Sequence, residues 1–118
     1  MIALLNDTGE DRIERCLLEA VASRPTDSHV TAFAFGEAFG SIKGSLAAAH
    51  VPWEPVQPAI WKREFKLSGK KGSDGADAAR EAASRLFPES AHLFARKKDH
   101  NRADAALIAK FCAKANAA

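Results

Sequence analysis

The chain lacks the features that mark secreted, membrane-spanning or zinc-binding proteins. It has only two cysteines, and Cys16 and Cys112 lie in apolar patterns rather than in a Cys-x-x-Cys or Cys/His arrangement. Such cysteines are typical of buried thiols in a reducing compartment, so neither a disulfide framework nor a zinc site is expected. No apolar run approaches the roughly 18 residues of a transmembrane helix, and no signal peptide is recognisable. These absences predict a cytoplasmic protein without a membrane partner.

Internal repeats and low-complexity tracts are also absent, and the formal net charge is only +2. A chain of 118 residues with 47% hydrophobic content predicts a single domain, residues 1–118, with a core of modest size. The basic residues are nevertheless clustered. The first basic group is Lys62, Arg63, Lys66, Lys70 and Lys71, and the second is Arg96, Lys97, Lys98 and Arg102. Each residue alone would be an ordinary solvated charge, but the clustering favours binding to a nucleic acid.

The first half of the chain contains short apolar runs typical of strands. The run Ile2–Leu5 stops at a polar, glycine-containing turn, which places the carboxylate of Asp7 at a strand end. The next apolar segment, Ile13–Val21, fits a helix as well as a strand, and its periodicity does not decide between them. A proline-rich stretch follows later and contains a candidate edge strand at Glu54–Gln57.

Helical patterns occupy most of the remaining sequence. Thr31–Ala49 has helical spacing, Pro58 is suited to open a helical turn, and Ala76–Leu86 has one apolar face. Between them, the glycine- and lysine-rich segment Leu67–Gly75 predicts a mobile basic loop. Along the first helix glycine recurs at every fourth position, at Gly36, Gly40 and Gly44. This spacing predicts a face kept small for the close approach of another helix or backbone.

The C-terminal segment places acidic and imidazole side chains at the head of an apolar helix. Its apolar stripe consists of Leu107, Ile108, Phe111 and Cys112. Asp104 shares the face of this stripe, and an inward carboxylate is costly unless it is protonated, paired or bound to a cation. His100 lies four residues earlier, roughly 40° away around the helix, so the two side chains can hold one ion. Asp99 fits the N-cap or the preceding loop, from which it can turn toward the same site.

A second interpretation of this segment needs no metal. Asp99 would then be an ordinary helix cap, Arg102 would pair with Asp104, and Lys97 and Lys98 would be solvated. The segment alone does not decide between the two.

Several motifs in one order favour the first interpretation. From Glu19 onward these are LLEAV, FAFGEAFGSIKGSLAA, VPWEPVQPAIWK, GKKG, RLFP and KKDHNRADAALIA. In this combination the chain resembles the RuvC-like Holliday junction resolvases of the ribonuclease H-like superfamily, especially their phage and prophage branch. The resemblance implies an α/β fold of ribonuclease H-like type, with an abbreviated sheet and packed helices. It also implies the cytoplasm of a bacterium or of a phage-infected host.

The resemblance further implies a magnesium site. In such enzymes an Asp strand, a Glu strand and a C-terminal helix bring carboxylates together around two Mg²⁺ ions, with Mn²⁺ as an alternative. Glu19 matches the strand Glu, Asp104 the helical Asp, and Asp99 with His100 the acidic or imidazole partner just before it. Mg²⁺ prefers hard oxygen ligands, and two ions can stabilise both the attacking water and the leaving oxygen of a phosphodiester.

The N-terminal side departs from this family pattern, because Asp7 and Glu19 are only twelve residues apart. In one interpretation, Ile2–Leu5 is the first, catalytic strand, a deletion follows it, and Asp7 is a metal ligand. In the other, Ile2–Leu5 is the family's second strand, and the catalytic first strand is missing. Parallel neighbours need a crossover of about a dozen residues or more, whereas a shorter link suits an antiparallel hairpin. The second interpretation is therefore favoured.

The resemblance assigns the basic groups to DNA. The first group resembles the strip by which such enzymes hold the phosphate backbone, and Lys71 is the nearest substitute for a lysine that neutralises charge near the metals. Trp61 is a candidate for stacking on a base, although an aromatic residue in an amphipathic turn is usually part of the core. Symmetrical nicking of two strands implies a homodimer.

Three functional hypotheses remain. The first is a Mg²⁺-dependent endonuclease that cuts branched DNA, and the second is a shortened relative that binds branched or duplex DNA without cutting it. The third is a domain that serves only as an interaction module. Retention of Glu19 and of the charged head of the last helix argues against the third, because a purely structural helix would not need those charges.

Overall fold

The computed structural model describes residues 2–5, 13, 15–20 and 24–117, so Asp7 lies outside the described residues. The described strands are β1 (Ile2–Leu5), β2 (Arg15–Glu19) and β3 (Trp53–Val56). The described helices are α1 (His29–Ala48), α2 (Pro58–Glu64), α3 (Gly72–Leu86) and α4 (His100–Ala117). Two 3₁₀ segments, Pro88–Phe94 and Lys97–Asp99, connect α3 to α4. The chain is thus a helix-rich α/β protein, as the sequence predicted.

The three strands form one sheet in the order β1-β2-β3. β1 runs antiparallel to β2, with Ile2 opposite Leu18, which confirms that the short link between these strands forms no parallel crossover. β2 runs parallel to β3, with Glu19 opposite Val56, and α1 lies between them in sequence. A helix is the usual connection of two parallel neighbours.

The central position of β2 settles the segment that periodicity left undecided. Three consecutive residues, Cys16, Leu17 and Leu18, are all buried. A strand covered on both faces has a continuous apolar run rather than an alternating one, which a short sequence cannot distinguish from part of a buried helix.

The core lies between the sheet, α2, α3 and α4. α3 contributes the small residues Ala79, Ala82 and Ala83, and α4 packs against α3. The apolar stripe of α4 is confirmed, because Leu107, Ile108 and Cys112 are fully buried. Both cysteines are buried, as predicted. Within the described part of the chain, no helix combines the length and apolarity needed to cross a membrane.

Helix α3 begins earlier than the sequence suggested. Residues 72–75, which were predicted to belong to a mobile loop, form its first turn. Positive φ angles of 83° at Gly69, in the preceding loop, and 60° at Gly72, the first residue of α3, bend the chain into the helix. Gly75 is required for a different reason. A Cβ atom there would lie 2.9 Å from the carbonyl oxygen of Lys70, so the loop closes against the helix only over a glycine.

Helix α1 contributes little to this core. Ser28 caps its N-terminus by accepting a hydrogen bond from the backbone N–H of Thr31 at 3.1 Å, and Leu46 is its buried residue. Val30 and Phe33 are 80% and 73% exposed. Nothing in the described part of the chain lies within 4 Å of Cβ atoms built on its three glycines. The close packing predicted from the glycine spacing is therefore not made by these residues of the same chain.

Candidate active site

Two carboxylates that are distant in sequence come together where β2 ends beside α4. Glu19 is the last residue of β2, and Asp104 lies in the second turn of α4; both are half-buried. Burial raises the pKa of Asp104 to about 6, and the neighbouring Glu19 carboxylate contributes to this rise, while Lys62 and His100 oppose it. The structure thus brings together Glu19 and Asp104, the two residues matched most directly to the family pattern.

The position of Asp104 follows from the packing of α4. Ala103, Leu107 and Ile108 are fully buried against the sheet and α3, and Asp104 is carried to the edge of the same face. The helix cannot turn this carboxylate fully toward water without exposing the apolar stripe. The cost of charging Asp104 is therefore built into the fold.

Glu19 has a defined partner in the core. The indole Nε1–H of Trp61 donates a hydrogen bond to Oε1 of Glu19 at 3.2 Å. Trp61 is fully buried, which confirms the core position typical of an aromatic residue in an amphipathic turn, and its ring is not presented for stacking on a base. Its neighbour Lys62 is half-buried, with Nζ 5.7 Å from the centroid of the Trp61 ring.

His100 stands at the first position of α4 and contacts the preceding turn. Its Nδ1 lies 3.2 Å from the carbonyl oxygen of Lys97. A carbonyl can only accept, so Nδ1 carries the proton in this contact and Nε2 presents a lone pair. In the neutral ring, His100 can therefore bind a cation through Nε2.

A cavity of about 330 Å³ is lined by Asp104 and His100, whereas Glu19 is not among its lining residues. Lys62, Lys70 and Lys71 also line it. The loop before α3 and the first turn of that helix complete the lining through Gly72 and Gly75. Three members of the first basic group thus line the same cavity as Asp104, whereas Arg63 and Lys66 do not line it and are exposed near the end of α2.

Asp99 does not turn toward this cavity, which departs from its predicted place at the metal site. It is 4% exposed, and its carboxylate accepts hydrogen bonds from the backbone N–H of Arg96 at 3.0 Å and from the Arg96 guanidinium at 3.0 and 3.2 Å. The side-chain hydrogen bonds from Arg96 lower the pKa of Asp99 below its ordinary value. Asp99 thus fixes the turn that leads into α4.

The second basic group is divided by this arrangement. Arg96 is bound to Asp99, and Arg102 donates to the carbonyl of Leu93 at 3.2 Å and lies 3.9 Å from Asp99. Arg102 therefore pairs with Asp99, not with Asp104 as the metal-free interpretation expected. Lys97 and Lys98 are exposed.

The donor set fits a hard cation only in part. Glu19 and Asp104 offer oxygen ligands, and the pKa of Asp104 is raised first by burial and then by the Glu19 carboxylate. Among residues 2–5, 13, 15–20 and 24–117, however, no three His, Cys, Asp or Glu side chains converge closely enough to hold a metal ion.

Sequence reasoning missed the link between Trp61 and Glu19. The available signal was chemical: a tryptophan buried in a core still carries an N–H group that needs an acceptor. The acceptor could not be chosen from sequence, because Trp61 and Glu19 are 42 positions apart.

Comparison with known proteins shows a similarity to a resolvase. No protein-family model matches the chain. A Holliday junction resolvase of Chlamydomonas reinhardtii, the chloroplastic MOC1, is 34% identical over 85 residues, which are 72% of this chain. The chain spans only 9% of the length of that relative. The similarity supports a resolvase-like relationship and does not bear on the phage and prophage branch.

Proposed function

We propose that the chain is a Mg²⁺-dependent, structure-selective DNA endonuclease of RuvC-like, ribonuclease H-like type that cuts branched DNA. One observation carries the proposal: Asp104, which lies close enough to Glu19 to feel its charge, lines a cavity together with Lys62, Lys70 and Lys71. The similarity to a chloroplastic Holliday junction resolvase supports the same substrate class. The cytoplasm of a bacterium or of a phage-infected host is the proposed location.

Glu19 and Asp104 would hold the cation. Burial imposes a cost on charging Asp104, and a divalent cation would offset this cost. His100, through Nε2, or Asp7 would supply a further ligand. When bound, Mg²⁺ or Mn²⁺ would activate a water molecule and stabilise the leaving oxygen of the phosphodiester. Asp99 is left out of this set, because Arg96 occupies its carboxylate.

The lysines would hold the DNA backbone. Lys62, Lys70 and Lys71 line the cavity and would contact the phosphates nearest the cleaved bond, with Lys71 neutralising charge in the transition state. Exposed Arg63, Lys66, Lys97 and Lys98 would extend this surface. Phosphate contacts of this kind give an affinity that falls with salt and carries little sequence preference.

The active form would be a homodimer, and α1 is the surface we assign to the second copy. Val30 and Phe33 are exposed, although large apolar groups are usually covered. The face is also self-complementary. In an antiparallel pair with a two-fold axis at Gly40, Gly36 of one copy meets Gly44 of the other. Glu37 then comes level with Lys43 of the second copy.

A second candidate function is binding of branched DNA without cleavage. It is favoured by one observation, namely that only two carboxylates are brought together within the described ranges. A site with too little negative charge would not hold two divalent cations, while the lysine surface would be unaffected.

The two functions separate in one experiment. The purified protein is incubated with a labelled four-way DNA junction in Mg²⁺ or in EDTA, and both nicking and gel retardation are scored. Asp104→Asn is the test variant, and Glu81→Gln, which removes one acidic charge from an exposed position of α3, is the matched control. Paired nicks that need Mg²⁺ and disappear only in Asp104→Asn support the endonuclease. Retardation without nicks in every sample supports the binding protein.

A further inference from the structure

We infer that Trp61 is a positioning residue for the Glu19 carboxylate. Its indole N–H, 3.2 Å from Oε1 of Glu19, fixes which carboxylate oxygen faces the core and which remains for a cation. The inference rests on the proposed function, since it gives Trp61 a part in metal binding that exceeds core packing.

The chemistry of the pair supports a fixed orientation. Trp61 is fully buried, and an indole N–H can only donate, so it needs an acceptor within the protein. The acceptor here is one oxygen of an ionisable side chain, and that side chain itself is only half-buried. The second oxygen, Oε2, is therefore the one that would bind a cation.

The backbone also fixes the distance between the two residues. Glu19 pairs with Val56 in the parallel register, and the N–H of Ala20 donates to the carbonyl of Val56 at 2.8 Å. Pro58 then starts α2 directly after β3, and Trp61 follows within the first turn. The same helix sends Lys62 to the wall of the cavity. α2 thus supplies a neutral hydrogen-bond donor, Trp61, to Glu19 and a basic side chain, Lys62, to the cavity.

Without the N–H, the Glu19 side chain is free to rotate about its own torsions. Binding of a cation must then order this side chain, which lowers the affinity for the cation. Hydrogen-bond partners that orient metal ligands typically change metal affinity by about 10- to 100-fold. We expect a loss in this range, with little change in DNA binding in the absence of metal, because Trp61 does not contact the solvent.

The test replaces one atom group and keeps the shape of the side chain. Trp53→Phe leaves Trp61 as the only tryptophan, because the chain contains two. This parent is produced in a tryptophan auxotroph, once with tryptophan and once with β-(3-benzothienyl)alanine, in which sulfur replaces the indole N–H. Three quantities are measured for both proteins. Mn²⁺ affinity is determined by calorimetry, and junction nicking is scored at saturating and at limiting Mn²⁺. Thermal unfolding is followed in EDTA.

The analogue-containing protein is expected to bind Mn²⁺ at least about 10-fold more weakly than the tryptophan-grown parent and to need correspondingly more Mn²⁺ for nicking. Its gel retardation of the junction in EDTA is expected to be unchanged. If the Trp61 N–H serves only the stability of the core, the analogue-containing protein will unfold at a lower temperature but need no more Mn²⁺ than the parent. An unchanged Mn²⁺ affinity in the analogue, beside an active tryptophan-grown parent, overturns the positioning role alone. A parent that neither binds Mn²⁺ nor nicks DNA overturns the proposed function, and the positioning role with it.

Discussion

Replacement of Asp104 by asparagine should abolish cleavage and yet stabilise the metal-free protein. The pKa of Asp104 is raised from 3.8 to about 6, chiefly by burial and then by the Glu19 carboxylate. The folded state therefore holds this proton more tightly than the unfolded state. The resulting stabilisation is fully present below pH 3.8 and is lost as the pH rises through 6.

The size of the effect follows from the shift. Two pKa units correspond to about 3 kcal/mol, and partial exposure of the carboxyl group reduces this by solvent screening to about 1–2 kcal/mol. The amide of the substituted side chain does not ionise, so Asp104→Asn should exceed the wild type in stability by this amount above pH 7. For a chain of this size the gain is a rise of several degrees in unfolding temperature.

Unfolding of the two proteins in EDTA, by heat and by urea, at pH 8 and pH 4 measures this difference. The advantage of Asp104→Asn should be present at pH 8 and shrink at pH 4, where the wild-type carboxyl is protonated in the folded state. Glu81→Gln controls for the loss of one surface charge. Mg²⁺ at pH 8 should raise the stability of the wild type and leave Asp104→Asn unchanged. A variant that is no more stable than the wild type at pH 8, or equally more stable at both pH values, would refute the electrostatic reasoning.

Three further predictions concern other parts of the molecule. Arg80→Ala should lower the free energy of unfolding by about 2 kcal/mol in urea denaturation, because the Arg80 guanidinium donates to the carbonyls of Phe94 and Ala95; an unchanged midpoint contradicts this. Glu37→Lys should weaken self-association about 10-fold or more in analytical ultracentrifugation, and adding Lys43→Glu should restore it. If the double variant associates no more tightly than the single variant, the two-fold arrangement at Gly40 is wrong. Lys71→Gln should reduce the slope of junction affinity against salt by about one counterion, whereas an unaltered slope removes Lys71 from the phosphate contacts.

The sequence was most informative where burial and helical spacing act together. Asp104 was predicted to face inward from its distance to Leu107 and Ile108, and its half-buried position and raised pKa agree with this. The same reasoning failed for Asp99. Spacing placed it correctly just before α4, but a residue at a helix entrance can turn either way, and Arg96, three residues earlier, captures it with side-chain and backbone hydrogen bonds.

The remaining features depend on contacts between distant segments. β2 was ambiguous because Cys16, Leu17 and Leu18 are buried in succession and do not alternate. The start of α3 was missed because Gly75 serves the close approach of the Lys70 carbonyl rather than loop mobility. The bond from Trp61 to Glu19 depends on the register of β2 with β3, which composition and periodicity do not encode. Propensity describes single elements, whereas the site forms at the junction of several.

The most direct test of the central claim is single-turnover cleavage of a four-way junction by the wild type, Glu19→Gln and Asp104→Asn across a Mg²⁺ titration. If these two carboxylates hold the cation together, the wild type cuts in a Mg²⁺-dependent manner, and each variant loses cleavage while retaining its junction binding in EDTA. Cleavage by either variant at the wild-type rate and with the wild-type Mg²⁺ requirement would contradict the claim.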